Sequence, residues 1–207
     1  MSPAFIWIPA ALIGAWLLGG HIAVRNVPMS KYSVVVQKDG YEIRQYEPYI
    51  LAETPMRDES GNGGFRELFA YISGANTANS KLAMTVPVLQ SGVQEGKKLA
   101  MTVPVLQTES AGGETMAFVM PPGLKLEDLP RPASAKVTLR AVPGLKAAAL
   151  RFSGWGSKAA VGKKTRQLEA AMERDGLRAA GPPATAFYNP PFTAPFMRRN
   201  EVLIPVE

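Results

Sequence analysis

The chain has 207 residues, a formal charge of +6, no cysteine and a single histidine, His21. Without cysteine there is no disulfide framework, thiolate metal site or cysteine nucleophile; beyond residue 21 there is no imidazole either, which excludes a Ser-His-Asp triad, a Cys-His pair or a His-ligated zinc there. The positive balance suits anionic lipid or an acidic ligand, while nucleic acid is disfavoured because Lys and Arg never run beyond two in a row.

Residues 4–24, "AFIWIPAALIGAWLLGGHIAV", carry no formal charge. A stretch of about 20 apolar residues is long enough to cross a bilayer. An uncleaved anchor is favoured over a cleaved signal, because residues 1–3 hold no basic side chain and "HIA" is a poor cleavage box. His21, at the end of this stretch, reads as an interfacial polar residue rather than a metal ligand. Arg25, Lys31 and Lys38 follow the span, which by the positive-inside rule favours a cytoplasmic domain; three charges do not fix the side. Residues 25–31 form a linker and 32–207 the folded domain.

Within that domain Val34–Val36 reads as a strand and Asp39-Gly40 as a hairpin turn. Residues 41–45 alternate as a half-buried strand, Pro48 breaks the run, and Ile50–Thr54 resumes it. Residues 57–64 are a loop. Phe65, Leu68, Phe69 and Ile72 then fall at i, i+3, i+4 and i+7, one face of a helix that Gly74 ends. "KLAMTVPVLQ" occurs at 81–90 and again at 98–107, separated by "SGVQEGK". Two copies 17 positions apart are too close for a helical repeat unit; they read as two strands that Pro87 and Pro104 make edge-like, bulged or very short. Residues 114–120 form a strand before Pro121-Pro122, and 135–154 form two strands around Pro143-Gly144. Residues 157–176 form a second helix, with Val161, Thr165, Leu168 and Met172 on one face and Gly176 ending it. Ala186–Tyr188 and 201–207 close the chain as strands.

The halves echo each other. "YEIRQYEPYILAET" before the first helix is similar to "VTLRAVPGLKAAALRFSG" before the second, with Arg44 and Arg140 each on a strand ahead of a Pro-marked turn. Two strand–strand–helix–strand units in one α+β domain are expected, sharing a sheet or a distorted barrel.

In order along the chain, "YEIRQYEPYILAET", "YISGANTANSKLAMTVPV", "FVMPPG" with "LEDLPRP", "LRFSGW" and "YNPPFTAPFMRRNEVLIPV" resemble the SOUL / heme-binding protein family over residues 32–207. The resemblance implies an α+β fold of two pseudo-repeats: a distorted antiparallel β-barrel flanked by two helices, related to effector-binding domains of the gyrase-inhibitor type. It also implies heme or another tetrapyrrole held in a mostly apolar groove, built partly from the first helix and partly from the loop before the last strand. The implied positions are Phe65, Leu68, Phe69 and Ile72 on the helix and Tyr188 to Met197 on the loop. The absence of a histidine from 32–207 puts imidazole ligation of the iron in doubt.

The residues themselves support that chemistry. A porphyrin is a flat apolar plate with two propionates, and its capture needs aromatic walls and a rim cation. "FYNPPFTAPFMRRN" sets Phe187, Tyr188, Phe192 and Phe196 beside Arg198 and Arg199, and arginine matches a carboxylate in bidentate fashion. The prolines at 190, 191 and 195 stiffen the loop. The helix stripe also reads as ordinary core, and Met84 and Met101 read as core filler with Met101 a candidate ligand contact. No paired carboxylates, P-loop, dinucleotide fingerprint or metal cluster is present. The expected function is therefore non-catalytic binding of heme or a related tetrapyrrole, for buffering or transport near a membrane; the alternative is a binding module for other amphipathic small molecules using the same groove.

Overall fold

The computed structural model describes residues 30–56, 62–77, 105–110, 113–190 and 192–207. The predicted span at 4–24, the first copy of the doubled segment and Met101 lie outside the described residues. Among the described residues no helix is long and apolar enough to cross a membrane.

In chain order the elements are β1 (Tyr32–Gln37), β2 (Glu42–Tyr46), β3 (Tyr49–Pro55), α1 (Asn62–Ile72), β4 (Asn76–Thr77), β5 (Val105–Ser110), β6 (Gly113–Val119), β7 (Arg131–Pro132), β8 (Thr138–Val142), β9 (Lys146–Phe152), α2 (Lys158–Arg174), β10 (Ala184–Phe187) and β11 (Asn200–Pro205), with short 3-10 turns at Leu126–Asp128 and Pro195–Met197. Nine strands form one sheet in the order β1-β2-β9-β11-β10-β5-β6-β3-β8, and β4 pairs with β7 separately. Every pairing is antiparallel.

The predicted two-fold echo is built into that order. On either side of the β5–β10 seam the strands correspond: β5 to β10, β6 to β11, β3 to β9, and β8 to β2. The first strand of each unit is exchanged, so β2 pairs with β9 of the second unit and β8 with β3 of the first. Two tight connections follow. Glu47-Pro48 joins β2 to β3, and Pro143–Leu145 joins β8 to β9, although each pair of strands stands far apart in the sheet order. Such short links bring both ends of the sheet together, and the sheet curls into a half-barrel. Gly144 lies in one of these links, where an added Cβ would stand 2.9 Å from the Tyr46 carbonyl oxygen.

Both helices cover one face, α1 on β3 and β6 and α2 on β9 and β11. Under α1 lie Ile50, Ala52, Met116 and Phe118; under α2 lie Ile43, Ala148, Leu150, Val202 and Ile204. The opposite, inward face packs Leu51, Leu106, Ala117, Val119, Ala186 and Tyr188 together. The second helix keeps its predicted start and stop: the Ala160 N–H donates to the Ser157 hydroxyl, an N-cap, and Gly176 adopts φ +70° past its end.

Two sequence expectations shift. The buried face of α1 is Gly64, Leu68, Tyr71 and Ile72, so the core stripe is rotated from the predicted one and Phe65 and Phe69 stand at its margin, 40% and 45% exposed. Tyr71 replaces them in the core because its hydroxyl reaches a partner, donating to the Pro130 carbonyl at 3.0 Å. The strand begun by the second repeat copy is central, flanked by β6 and β10, rather than edge-like.

Candidate functional site

Among the described residues α1 packs on β3 and β6 and α2 on β9 and β11, which leaves the seam strands β5 and β10 between the two helices. Cross-strand partners share a face, and Phe118, Val105 and Phe187 are successive partners on β6, β5 and β10. They make an apolar row from α1 toward α2. At the α1 end, Phe65 packs edge-on against Phe118 with ring centres 5.4 Å apart and lies 6.0 Å from Phe69.

At the α2 end the row opens into a groove of about 910 Å³, lined by Met56, Trp155, Val161, Thr165 and Phe187, with Lys158, Arg166 and Arg198 among its polar residues. This is the upper range of small-molecule sites. Its wall is made by two loops clamped together. The Gly154 N–H donates to the Pro195 carbonyl at 2.9 Å, and the Asn200 amide donates to the Gly154 carbonyl at 3.1 Å. Trp155 stands between Gly154 and Gly156, which adopt φ +113° and +65°, and is 70% exposed. The Arg198 guanidinium lies over its ring at 4.4 Å and is anchored by donating to the Thr193 carbonyl at 2.8 Å. A cation–aromatic pair of this kind fixes both groups at the rim. Lys158, in the first turn of α2, lies 3.3 Å from Glu114 across the groove.

Gly156 is the tightest point. A Cβ there would sit 2.5 Å from a Phe187 ring carbon, in a backbone conformation that side chains disfavour. Gly156→Ala is expected to cost about 1–3 kcal/mol and to displace the Phe187 ring. Thermal unfolding reads the first effect and ligand titration the second; an unchanged Tm would contradict the geometry.

A buried polar cluster supports the loop from beneath. Glu201, fully buried, accepts from Arg44 Nη1 at 2.7 Å and Nη2 at 3.2 Å, from Arg199 Nε at 2.9 Å, and from the Tyr188 hydroxyl at 2.8 Å. Arg44 also donates to Glu42 at 2.7 Å and to the Tyr46 hydroxyl at 3.2 Å. Arg44 lies over the Tyr32 ring at 4.4 Å and Arg199 over the Tyr188 ring at 4.1 Å. Burial alone would push the Glu201 carboxyl up, but the hydrogen bonds and charges of Arg44 and Arg199 outweigh it and hold the group below the usual carboxylate range. Burial, then the Glu201 charge, pushes the Tyr188 hydroxyl strongly up, so it stays a donor. Burial likewise pushes Tyr46 up to about 12.

The sequence-expected residues therefore divide by place. Arg198 lines the groove. Phe192 and Phe196 are exposed on the same loop, at 55% and 71%. Phe65 and Phe69 sit at the far end of the apolar row. Leu68 and Ile72 are core, and Tyr188 is buried with its hydroxyl engaged by Glu201. Trp155, Lys158, Arg166 and Met56 were not singled out from sequence. The signal for Trp155 was "GWGS", a large aromatic between two glycines just ahead of a helix cap. A second open depression, near Thr54, Gly63, Arg66 and Ala135, has no aromatic among its lining residues and is crossed by the Lys136–Glu67 ion pair at 2.8 Å. It suits a flat apolar ligand less. Among the described residues no group of three or more His, Cys, Asp or Glu side chains could hold a metal ion.

Solved structures share this architecture at low identity. A hydrolase from Listeria innocua is 16% identical, with TM-score 0.50, over 84% of this chain and 94% of that one. The EcmrR C-terminal domain is 10% identical, with TM-score 0.51, over 85% and 98%. These likenesses concern the fold. Among curated proteins none matches the chain. The family model described as SOUL heme-binding protein matches residues 27–205, a range that takes in the two-fold sheet, both helices and both loops of the groove, and the chain belongs to that family.

Proposed function

We propose that this protein binds heme or a related tetrapyrrole without catalysing a reaction on it, in the groove between the helices, and that residues 4–24 anchor it so that it buffers or carries the ligand beside a membrane. The observation that carries this reading is the pairing of an exposed aromatic wall with a cationic rim. Trp155 and Phe187 offer flat apolar surface, while Arg198, Lys158 and Arg166 stand where the carboxylates of a plate-shaped ligand would emerge. Family membership supports it.

The residues fit the macrocycle better than the metal. The groove lining holds no imidazole or thiolate, and its soft donor is the thioether of Met56. Bound heme would bring the iron's redox and ligand-binding chemistry; the protein's part is to stack the ring, pair the propionates and exclude water from one face. Iron-free protoporphyrin is therefore expected to bind within about threefold of hemin, a difference under about 1 kcal/mol. Parallel fluorescence and Soret titrations measure this. A preference for hemin of a hundredfold or more would show that iron coordination dominates. The same lack of strong iron donors favours a second reading, other amphipathic anions in this groove. Competition by a sulfonated aromatic dye as tight as protoporphyrin would support that reading over the first.

A further inference from the structure

The sheet ends in β1, and this edge is unlike the other exposed surfaces. Val34, Val35 and Val36 are 48%, 53% and 42% exposed in succession, so apolar side chains project on both sides of a strand that, among the described residues, pairs only with β2. An apolar edge is ordinarily a hazard, because it templates pairing with another strand. Here the register shifts between Val34 and Val36, leaving Val35 without a cross-strand partner. Such a bulge twists an edge away from strand addition, which argues against a second copy of the chain as the occupant.

Position in the chain indicates what covers the edge instead. Only seven residues lie between Val24, at the end of the uncharged stretch, and Tyr32 at the start of β1. Fully extended, these eight Cα-to-Cα steps reach at most about 28 Å. Lys31 and Lys38 bracket the strand; Lys38 also lies 3.7 Å from Asp175. Long lysine stems lie along an apolar surface while their ammonium groups stay in water, and the chain's +6 charge favours an anionic surface. Water and head groups at a bilayer interface would satisfy the outer N–H and C=O groups of the edge, as hydrocarbon would not. We infer that the β1 edge is a lipid-docking surface: Val34–Val36 seat in the interfacial layer of the membrane that residues 4–24 enter, fixing the orientation of the domain. This rests on the proposed anchor.

The absence of cysteine makes the test clean. Val35→Cys in the full-length chain gives a unique site for an environment-sensitive nitrobenzoxadiazole label, with Glu169→Cys on the exposed side of α2 as control. The protein is reconstituted in phosphatidylcholine and in phosphatidylcholine–phosphatidylglycerol vesicles, with head-group spin-labelled lipid as quencher. The label at 35 is expected to be blue-shifted and quenched at least threefold more than the label at 169, and more strongly in the anionic vesicles. Adding Val34→Glu and Val36→Glu should return quenching at 35 to the control level while the protein resists alkaline extraction. Equal quenching at 35 and 169 with extraction-resistant protein would overturn the docking and leave the anchor standing. Extractable protein would overturn the anchor and the docking with it, and leave ligand binding in the groove untouched. Self-quenching at 35 that rises with protein density, without lipid quenching, would assign the edge to a second copy and overturn the proposal.

Discussion

Replacing Glu201 by Gln is expected to destabilise the domain by about 3–5 kcal/mol, a large part of the 5–15 kcal/mol typical of a whole protein. The carboxylate is fully buried and neutralises two guanidinium groups while accepting from the Tyr188 hydroxyl. An amide of the same shape leaves those charges unmatched in a low-dielectric interior. The pseudo-symmetric comparison sharpens the point. Arg44 and Arg140 occupy equivalent strands, but Arg140 pairs with Glu53 at 2.9 and 3.0 Å with its side chain 55% exposed. Arg140→Ala should cost under about 1 kcal/mol, as exposed pairs do. Urea unfolding of the three proteins checks this, and similar losses for Glu201→Gln and Arg140→Ala would contradict it.

The same carboxylate gives the stability a direction in pH. Its folded pKa is depressed, so its contribution is fully present above the ordinary carboxylate range, near 4.3, and is lost as pH falls through the depressed value. Asp175 acts in the same sense: hydrogen bonds from Arg174 and then from the Tyr41 hydroxyl hold it down to about 2. Acid destabilisation should set in below about pH 4 and be shallower in Glu201→Gln, which has lost one of the two groups.

For the ligand the largest expected effect is at Trp155. Truncating a large aromatic that stacks on a ligand typically costs about 2 kcal/mol or more, so Trp155→Ala should weaken protoporphyrin binding roughly 30-fold. The ring is mostly exposed, so unfolding free energy should change by no more than about 0.5 kcal/mol. Leu68→Ala is the converse: a core cavity costing about 2–5 kcal/mol with little direct effect on affinity, because Leu68 is buried on the sheet-facing side of α1. Trp155→Phe should recover most of the affinity. Binding unchanged by Trp155→Ala would place the ligand elsewhere.

Much of the architecture was legible because local signals and tertiary packing agree. Asp39-Gly40 turns as expected, with Gly40 at φ +85°. The second helix keeps the span from its serine cap to Gly176. The paired motifs around Arg44 and Arg140 announced the repeat. What could not be read was the exchange of β2 and β8 between the halves, since strand order is decided by long-range pairing that no local pattern encodes. The stripe on α1 misled by one position for a related reason. Phe65 and Phe69 match the apolar period as well as Tyr71 does, and the choice fell to Tyr71 because its hydroxyl finds a carbonyl in the core. At the site, the sequence marked Arg198 by its aromatic surroundings, and in the structure it lines the groove beside Trp155. Trp155 was not, because its stacking partner, Arg198, is 43 residues away in sequence. Glu201 reads from sequence as an ordinary strand-start charge; only the sheet's curl brings Arg44 to it.

The most direct test is the indole N–H resonance of Trp155 during titration with iron-free protoporphyrin, in a Trp7→Phe/Trp16→Phe background that leaves Trp155 the sole tryptophan. A porphyrin ring current acts only over a few ångströms beyond the ring. A large upfield shift saturating at one equivalent is expected if the plate stacks in the groove at the start of α2. Saturable binding that leaves this resonance in place would contradict that assignment.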